Sequence, residues 1–177
     1  MLEGITQIGP KRVRPLPTIE RLREVLSYEP STGELRWRVT RPGRGCLAGA
    51  LAGGFRPDGY LKLTVDGAPL LGQRVIWALV TGTWPDRIVD HIDTNPRNNR
   101  FENLRLADGG ESAANKNAPS NNTSGIKGVR ERNGRWLAQI TIKGTAKFLG
   151  SFATAAEARD AYEHAAKRAF GEFGRAA

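Results

Sequence analysis

Val89-Asp-His-Ile-Asp-Thr-Asn-Pro-Arg-Asn-Asn-Arg-Phe-Glu-Asn-Leu104 sets a carboxylate, Asp90, beside His91, one of two histidines in the chain. Ile88 and Val89 read as a strand that delivers Asp90 and His91 at its end. Residues 93 to 99, with Pro96, read as a loop of turn-forming residues that closes on Asn103. Leu104 and Leu106 alternate with Arg105 as a second strand. Asp108 followed by Glu111 is a capping box, so a helix begins near Gly109 and carries Ser112 and Asn115, three apart, on one face. Strand, loop, strand and helix therefore bring Asp90, His91, Asn103 and the Ser112/Asn115 face towards one point.

A hydrophobic core does not ask for so many polar groups between two apolar segments. The bland account is that Asp-His closes a turn and the asparagines cap it. The chemical account is that the cluster cleaves a phosphodiester, which needs a water activated near neutral pH and a cation to stabilise charge on the phosphate. Histidine suits the base because its unperturbed pKa lies near physiological pH. One carboxylate with amide, hydroxyl and water oxygens is a hard donor set, suited to magnesium or manganese rather than zinc.

Upstream, every feature is explained by folding alone. Residues 1–17 form a basic arm (Lys11, Arg12, Arg14) punctuated by prolines. Thr18 caps a short helix through Leu26, and Leu35, Trp37 and Val39 alternate as a half-buried strand. A Gly/Arg-rich loop covers residues 41–54. Pro57-Asp58-Gly59 and Asp66-Gly67 bracket a strand from Tyr60 to Val65. Val75, Ile76, Leu79 and Val80 mark one face of a helix that Gly82 terminates.

Composition narrows the partner. The 177 residues carry a formal net charge of +9, which attracts phosphate backbones or anionic membranes, or else serves solubility only. The single cysteine, Cys46, excludes an internal disulfide and paired-cysteine zinc clusters. With no apolar run of transmembrane length and no signal-peptide core, a soluble, intracellular, non-secreted protein is expected.

After the helix, residues 118–124 have the polar, uncharged composition of a linker. Gly125 to Arg132, Arg135 to Ile142 and Lys147 to Phe152 read as three strands joined by Asn133-Gly134 and Lys143-Gly144. Thr154 with Glu157 caps an alanine-rich helix whose stripe includes Ala158, Ala161, Tyr162 and Ala165. If Val129, Ala138, Ile140 and Ile142 face that helix, Arg130, Arg132, Gln139 and Thr141 face away. Arginine fits guanine edges and phosphates, glutamine pairs with adenine, and a sheet can enter a major groove; the alternative is an ordinary solvated face. Trp136 is expected to be partly buried, and His164 to be a solvated surface residue.

Two resemblances follow from these residues. Gln73-Arg-Val-Ile-Trp-Ala-Leu-Val-Thr-Gly82, Val89-Asp-His-Ile-Asp93, Asn98-Asn-Arg-Phe-Glu-Asn-Leu-Arg105 and Glu111-Ser-Ala-Ala-Asn115 resemble an HNH endonuclease of the phage and homing type. The resemblance implies a ββα-metal core over residues 18–117 that nicks or cuts DNA with one divalent cation, Mg2+ or Mn2+. It implies Asp90 as metal ligand, His91 as general base and Asn103 as the residue supporting the histidine. This chain has Gln73-Arg74 where relatives have His-Arg, and Ser112 where they have a ligating asparagine, with Asn115 on the same face as a substitute ligand. Gly125-Ile-Lys-Gly-Val-Arg130, Gly134-Arg-Trp136, Phe148-Leu-Gly-Ser-Phe152 and Ala155-Ala-Glu-Ala158 resemble an AP2 DNA-binding domain over residues 125–177. That resemblance implies double-stranded DNA bound on the sheet by Lys127, Arg130, Arg132, Arg135, Gln139, Thr141, Lys147 and Phe148. The expected class is α+β: an HNH unit followed by a three-stranded antiparallel sheet with one helix, acting in a bacterial or phage-infected host, with a monomer among the open options for its oligomeric state. The rival readings are a DNA-binding protein with an inactive HNH site and an RNA-binding or membrane-surface protein.

Overall fold

A computed structural model describes residues 14–42, 46–116, 118 and 122–174. Most of the basic arm, part of the Gly/Arg-rich loop and residues 119–121 of the expected linker lie outside the described residues. The first helix, α1 (Ile19–Val25), starts where Thr18 Oγ1 accepts the Arg21 N–H at 3.1 Å, and it buries Leu22 and Val25. The chain passes straight into β1 (Leu26–Glu29), which pairs antiparallel with β2 (Glu34–Trp37). Their turn needs glycine: Gly33 has φ 79°, and a Cβ there would lie 2.6 Å from the Arg100 nitrogen. The turn thus rests on the backbone of the loop that follows His91.

A second antiparallel sheet has the order β3-β4-β5, from β3 (Gly54–Phe55), β4 (Leu61–Val65) and β5 (Ala68–Leu71). Strand β4 alternates buried and exposed residues, as a half-buried strand must. Asp66 and Gly67 both have positive φ, the condition of a type I′ hairpin turn. Strands β3 and β5, like β1, were not expected. Strand β3 is two residues long, and β5 carries Pro69, which argues against a strand, and passes directly into α2 (Gly72–Thr81). Helix α2 buries Val75, Ile76 and Ala78 and ends as expected at Gly82, φ 76°, whose N–H returns to the Ala78 carbonyl. These elements share one core with Leu22, Trp37, Val65, Val89 and Leu104. Burying each such side chain contributes roughly 1.5–3 kcal/mol.

On that core sits a ββα unit: β6 (Ile88–His91), β7 (Leu104–Ala107) and α3 (Gly109–Asn115). The strands pair antiparallel with Asp90 opposite Arg105 and His91 opposite Leu104. The Asp108/Glu111 capping box forms in both directions.

The C-terminal sheet has the order β10-β9-β8, from β8 (Val129–Arg132), β9 (Arg135–Ile142) and β10 (Thr145–Phe152). Asn133-Gly134 and Lys143-Gly144 all take positive φ, so both hairpins turn as the sequence dictates. Helix α4 (Ala155–Phe170), with its Thr154/Glu157 capping box, covers one face. Val129, Ala138, Ile140, Ala158, Tyr162 and Ala166 make a second, separate core, against which Trp136 is partly buried. The α+β class is borne out. Among the described residues no helix is long and apolar enough to cross a membrane.

Candidate functional site

Period-2 alternation on β6 buries Val89 and His91, while Asp90 turns towards α3. Two residues of α3 meet its carboxylate. Ser112 Oγ donates to Oδ1 at 3.1 Å, and Asn115 Nδ2 donates to Oδ2 at 2.8 Å. The same Asn115 amide reaches the His91 carbonyl at 2.7 Å, tying helix to strand. Asp90, His91 and Asn115 line a cleft of about 90 Å³ with Tyr60, Thr94 and Lys116. That space admits a few water molecules or a hydrated ion, not a nucleobase.

The imidazole is buried, 4% exposed, and its Nε2 lies 3.1 Å from Oδ1 of Asn99, itself 2% exposed. An amide oxygen only accepts, so Nε2 carries the proton and Nδ1 is the free basic nitrogen. Burial pushes the His91 pKa below its ordinary value, against the hydrogen bond that Nε2 donates to Asn99 and the negative charges of Asp93 and Asp90. The shift favours the neutral form of the ring. The Tyr60 ring stands 5.8 Å from it, tilted by 60°.

Asn103 acts on the loop, not on the ring. Its Oδ1 accepts the Asp93 N–H at 3.1 Å, and its Nδ2 donates to Asp93 Oδ1 and to the Asn98 carbonyl, both at 2.9 Å. Desolvation works to raise the Asp93 pKa, but hydrogen bonds from Asn98, Asn103 and the Asn95 N–H outweigh it, and the net direction is down. The ionised loop carboxylate is thus held in place. The support expected of Asn103 for the histidine is therefore indirect, through the backbone that follows it. The imidazole partner, Asn99, was missed; only the density of asparagines in the loop hinted at it.

Arg105 was missed as well. Opposite Asp90 on β7, it places Nε 3.7 Å from Asp90 Oδ2, too long for a hydrogen bond, with both side chains largely buried. Its guanidinium stacks 3.5 Å from the centroid of Phe173. Gln73 is buried in α2 with an unpartnered Oε1.

The donor set fits a hard divalent cation. The described residues contain no cluster of three His, Cys, Asp or Glu, so one carboxylate would act with neutral oxygens. Asn115 Oδ1 is buried without a hydrogen-bond partner. A half-turn of that amide, at the cost of its bond to the His91 carbonyl, exchanges its two ends and would present this oxygen, beside Ser112 Oγ, to an ion at Asp90.

The second candidate surface is the outer face of the C-terminal sheet. Cross-strand partners share a face, and Arg130 pairs with Leu137, Arg132 with Arg135, and Gln139 with Phe148. Arg130, Leu137, Gln139, Thr141 and Phe148 line an open groove of about 470 Å³, into which Phe148 projects, 65% exposed. Arg135 lies across the sheet, its Nη2 bonded to the Ser151 carbonyl at 2.8 Å. Two expected DNA contacts are placed elsewhere. Lys147 pairs with Ile140, on the side of α4, because neighbours in a strand face opposite ways and Phe148 takes the outer position. Lys127 is turned back onto α3, with Nζ bonded to three carbonyls there. His164 is an exposed helix residue, as expected, bonded to the Asp160 carbonyl.

Residues 71–109, which span β6, β7 and the start of α3, match the family model described as HNH endonuclease. Protein 3.8 of Escherichia phage T7 is 40% identical over 73 residues, covering 39% of this chain and 60% of that protein. An uncharacterised HNH endonuclease of Acanthamoeba polyphaga mimivirus is 35% identical over 103 residues, 57% of this chain and 54% of the relative. The C-terminal region is similar to dehydration-responsive element-binding protein 2E of Oryza sativa subsp. japonica, 48% identical over 59 residues, 32% of this chain and 19% of that protein. The chain thus spans between about half and three fifths of the first two relatives. No solved structure is matched. Both resemblances read from the sequence, to an HNH endonuclease and to an AP2 unit, are borne out.

Proposed function

We propose that this chain is a divalent-cation-dependent endonuclease for double-stranded DNA, with residues 18–117 as the cutting unit and residues 125–177 as the unit that holds the duplex. The observation carrying this reading is the meeting of one carboxylate, a hydroxyl and an amide beside a buried, neutral imidazole in a cleft of solvent size. His91 takes a proton from water, and the resulting hydroxide attacks phosphorus in line with the departing 3′ oxygen; as that P–O bond breaks, the 3′ oxygen takes a proton from solvent water, leaving 5′-phosphate and 3′-hydroxyl ends. Asp90, with Ser112 and Asn115, holds Mg2+ or Mn2+. When bound, the cation stabilises negative charge on the phosphate and on the 3′ oxygen. Asn99 keeps Nε2 protonated so that Nδ1 is the base, and Asn103 holds the loop through Asp93 and Asn98. On the sheet, Arg130, Arg132 and Arg135 meet phosphates and guanine edges, while Gln139, Thr141 and Phe148 contact bases.

The test is nicking of supercoiled plasmid in magnesium or manganese, with and without chelator, by the full chain and by Asp90→Ala. Cation-dependent nicking that Asp90→Ala loses supports the reading. Protein that binds duplex with a steep salt dependence yet nicks in neither cation returns the assignment to a DNA-binding protein with an inactive site.

A further inference from the structure

Helix α3 carries two of the three side chains at the Asp90 site on only seven residues. A helix so short does not hold itself in water, because the first turn is costly to form and few bonds follow it. Its N-terminus is fixed from within by the Asp108/Glu111 box. At its C-terminus the chain departs in an extended conformation at Lys116, φ −61° and ψ 147°, which leaves the last carbonyls without intrahelical partners. Two of those carbonyls, with that of the following Lys116, are satisfied by the C-terminal unit. Lys127 Nζ donates to Ala113, Ala114 and Lys116 oxygens at 2.7, 2.8 and 3.0 Å, using all three ammonium protons. A positive charge at a helix C-terminus also opposes the negative end of the helix dipole.

The root of Lys127 is rigid. Gly128 follows with φ 70°, and a Cβ there would collide with the Tyr162 ring of α4 and with the Gln139 carbonyl. The Gln139 N–H bonds the Gly128 carbonyl at 2.8 Å. The backbone beside Lys127 is thus fixed against the sheet and α4 while the ammonium tip holds α3. A second link runs in parallel, since Phe173 and the Glu172 carbonyl engage the Arg105 guanidinium beside Asp90.

We propose that Lys127 is a positioning residue of the Asp90 site: by capping α3 it sets Ser112 and Asn115 against the carboxylate, so that the C-terminal unit completes the cation site as well as holding the duplex. This rests on the reading that Asp90, Ser112 and Asn115 hold the cation. The test uses the full chain and its Lys127→Met, Lys127→Arg and Asp90→Ala variants, with Mn2+ affinity read by electron paramagnetic resonance, plasmid-duplex affinity, and amide exchange over residues 112–116. In Lys127→Met, which removes all three bonds, Mn2+ binding weakens at least roughly tenfold, the fold-change that the loss of a single charge-assisted hydrogen bond corresponds to. Exchange over α3 accelerates, duplex affinity stays within about twofold in contrast to a phosphate-contacting lysine, and Lys127→Arg restores most of the Mn2+ affinity. Mn2+ affinity unchanged in Lys127→Met but abolished in Asp90→Ala overturns the proposal alone, and an accompanying fall in duplex affinity reassigns Lys127 as a DNA contact. Mn2+ affinity unchanged in Asp90→Ala overturns the cation reading and this proposal with it. Should Lys127→Met not fold, Lys127→Gln, which keeps two neutral amide N–H donors in place of three charged ones, carries the same prediction with a smaller fold-change.

Discussion

Asn99→Ala isolates the hydrogen bond that fixes the basic nitrogen of His91. The amide oxygen lies 3.1 Å from Nε2, and with both residues more than nine-tenths buried, water does not freely replace the missing partner. A buried neutral hydrogen bond contributes about 0.5–1.5 kcal/mol, and an orphaned buried N–H costs about 1–3 kcal/mol. Taking about 2 kcal/mol, all of it falling on the tautomer with Nδ1 free, kcat drops roughly thirtyfold. The sign of the pH effect is fixed separately. Burial lowers the His91 pKa and the Asn99 bond raises it, so its removal lets the pKa fall further and moves the acid limb of kcat to lower pH. Asn99→Asp keeps an acceptor at Nε2 and adds negative charge, which raises the pKa and moves the limb to higher pH. Single-turnover plasmid nicking across the pH range, on variants whose circular dichroism matches the parent, reads both effects. A kcat unchanged in Asn99→Ala, or limbs that shift the same way in both variants, refutes the reasoning.

Other expectations concern stability and binding. Because the folded His91 pKa lies below the ordinary 6.5, the unfolded chain takes up the proton first as pH falls. Stability therefore declines from about pH 6.5 down to the lowered value, and denaturant unfolding at several pH values should show His91→Gln without that decline. Asn103→Ala removes three hydrogen bonds to Asp93 and Asn98 and should cost about 2–4 kcal/mol in thermal unfolding. Arg130→Ala and Arg132→Ala, both exposed on the outer sheet face, should weaken duplex binding and reduce the slope of log K against log salt by about 0.9 for each phosphate that is no longer neutralised. Neither should change Mn2+ affinity.

What the sequence made legible was local. The Asp-His pair at a strand end, the capping boxes at Asp108 and Thr154, the glycine stop at Gly82 and the Asn133-Gly134 and Lys143-Gly144 turns are each written in residues a few positions apart, and each formed. Ser112 and Asn115 could be set on one face by helical spacing alone, and both reach Asp90. What escaped was set by distant packing or by register. Strand β5 holds Pro69, which reads against a strand, and it forms by pairing with β4, a register that local sequence does not announce. Asn98 and Asn99 are the same residue type in one loop, yet one bonds Asp93 and the other the imidazole, because the loop backbone turns their side chains apart. Lys127 reads as a cation in a basic unit, and its carbonyl partners lie eleven to fourteen residues away. Lys147 and Phe148 could not both face outward, and the pairing of Phe148 with Gln139 decides which of them does.

The most direct test of the central claim is the single-turnover rate at which His91→Ala nicks supercoiled plasmid in Mn2+, beside the parent chain and with Mn2+ affinity measured on both. Loss of a positioned general base predicts a rate lower by about 10²–10⁴-fold, with Mn2+ still bound. A His91→Ala rate equal to that of the parent, with the cation bound equally well, would contradict the assignment of His91 as the base.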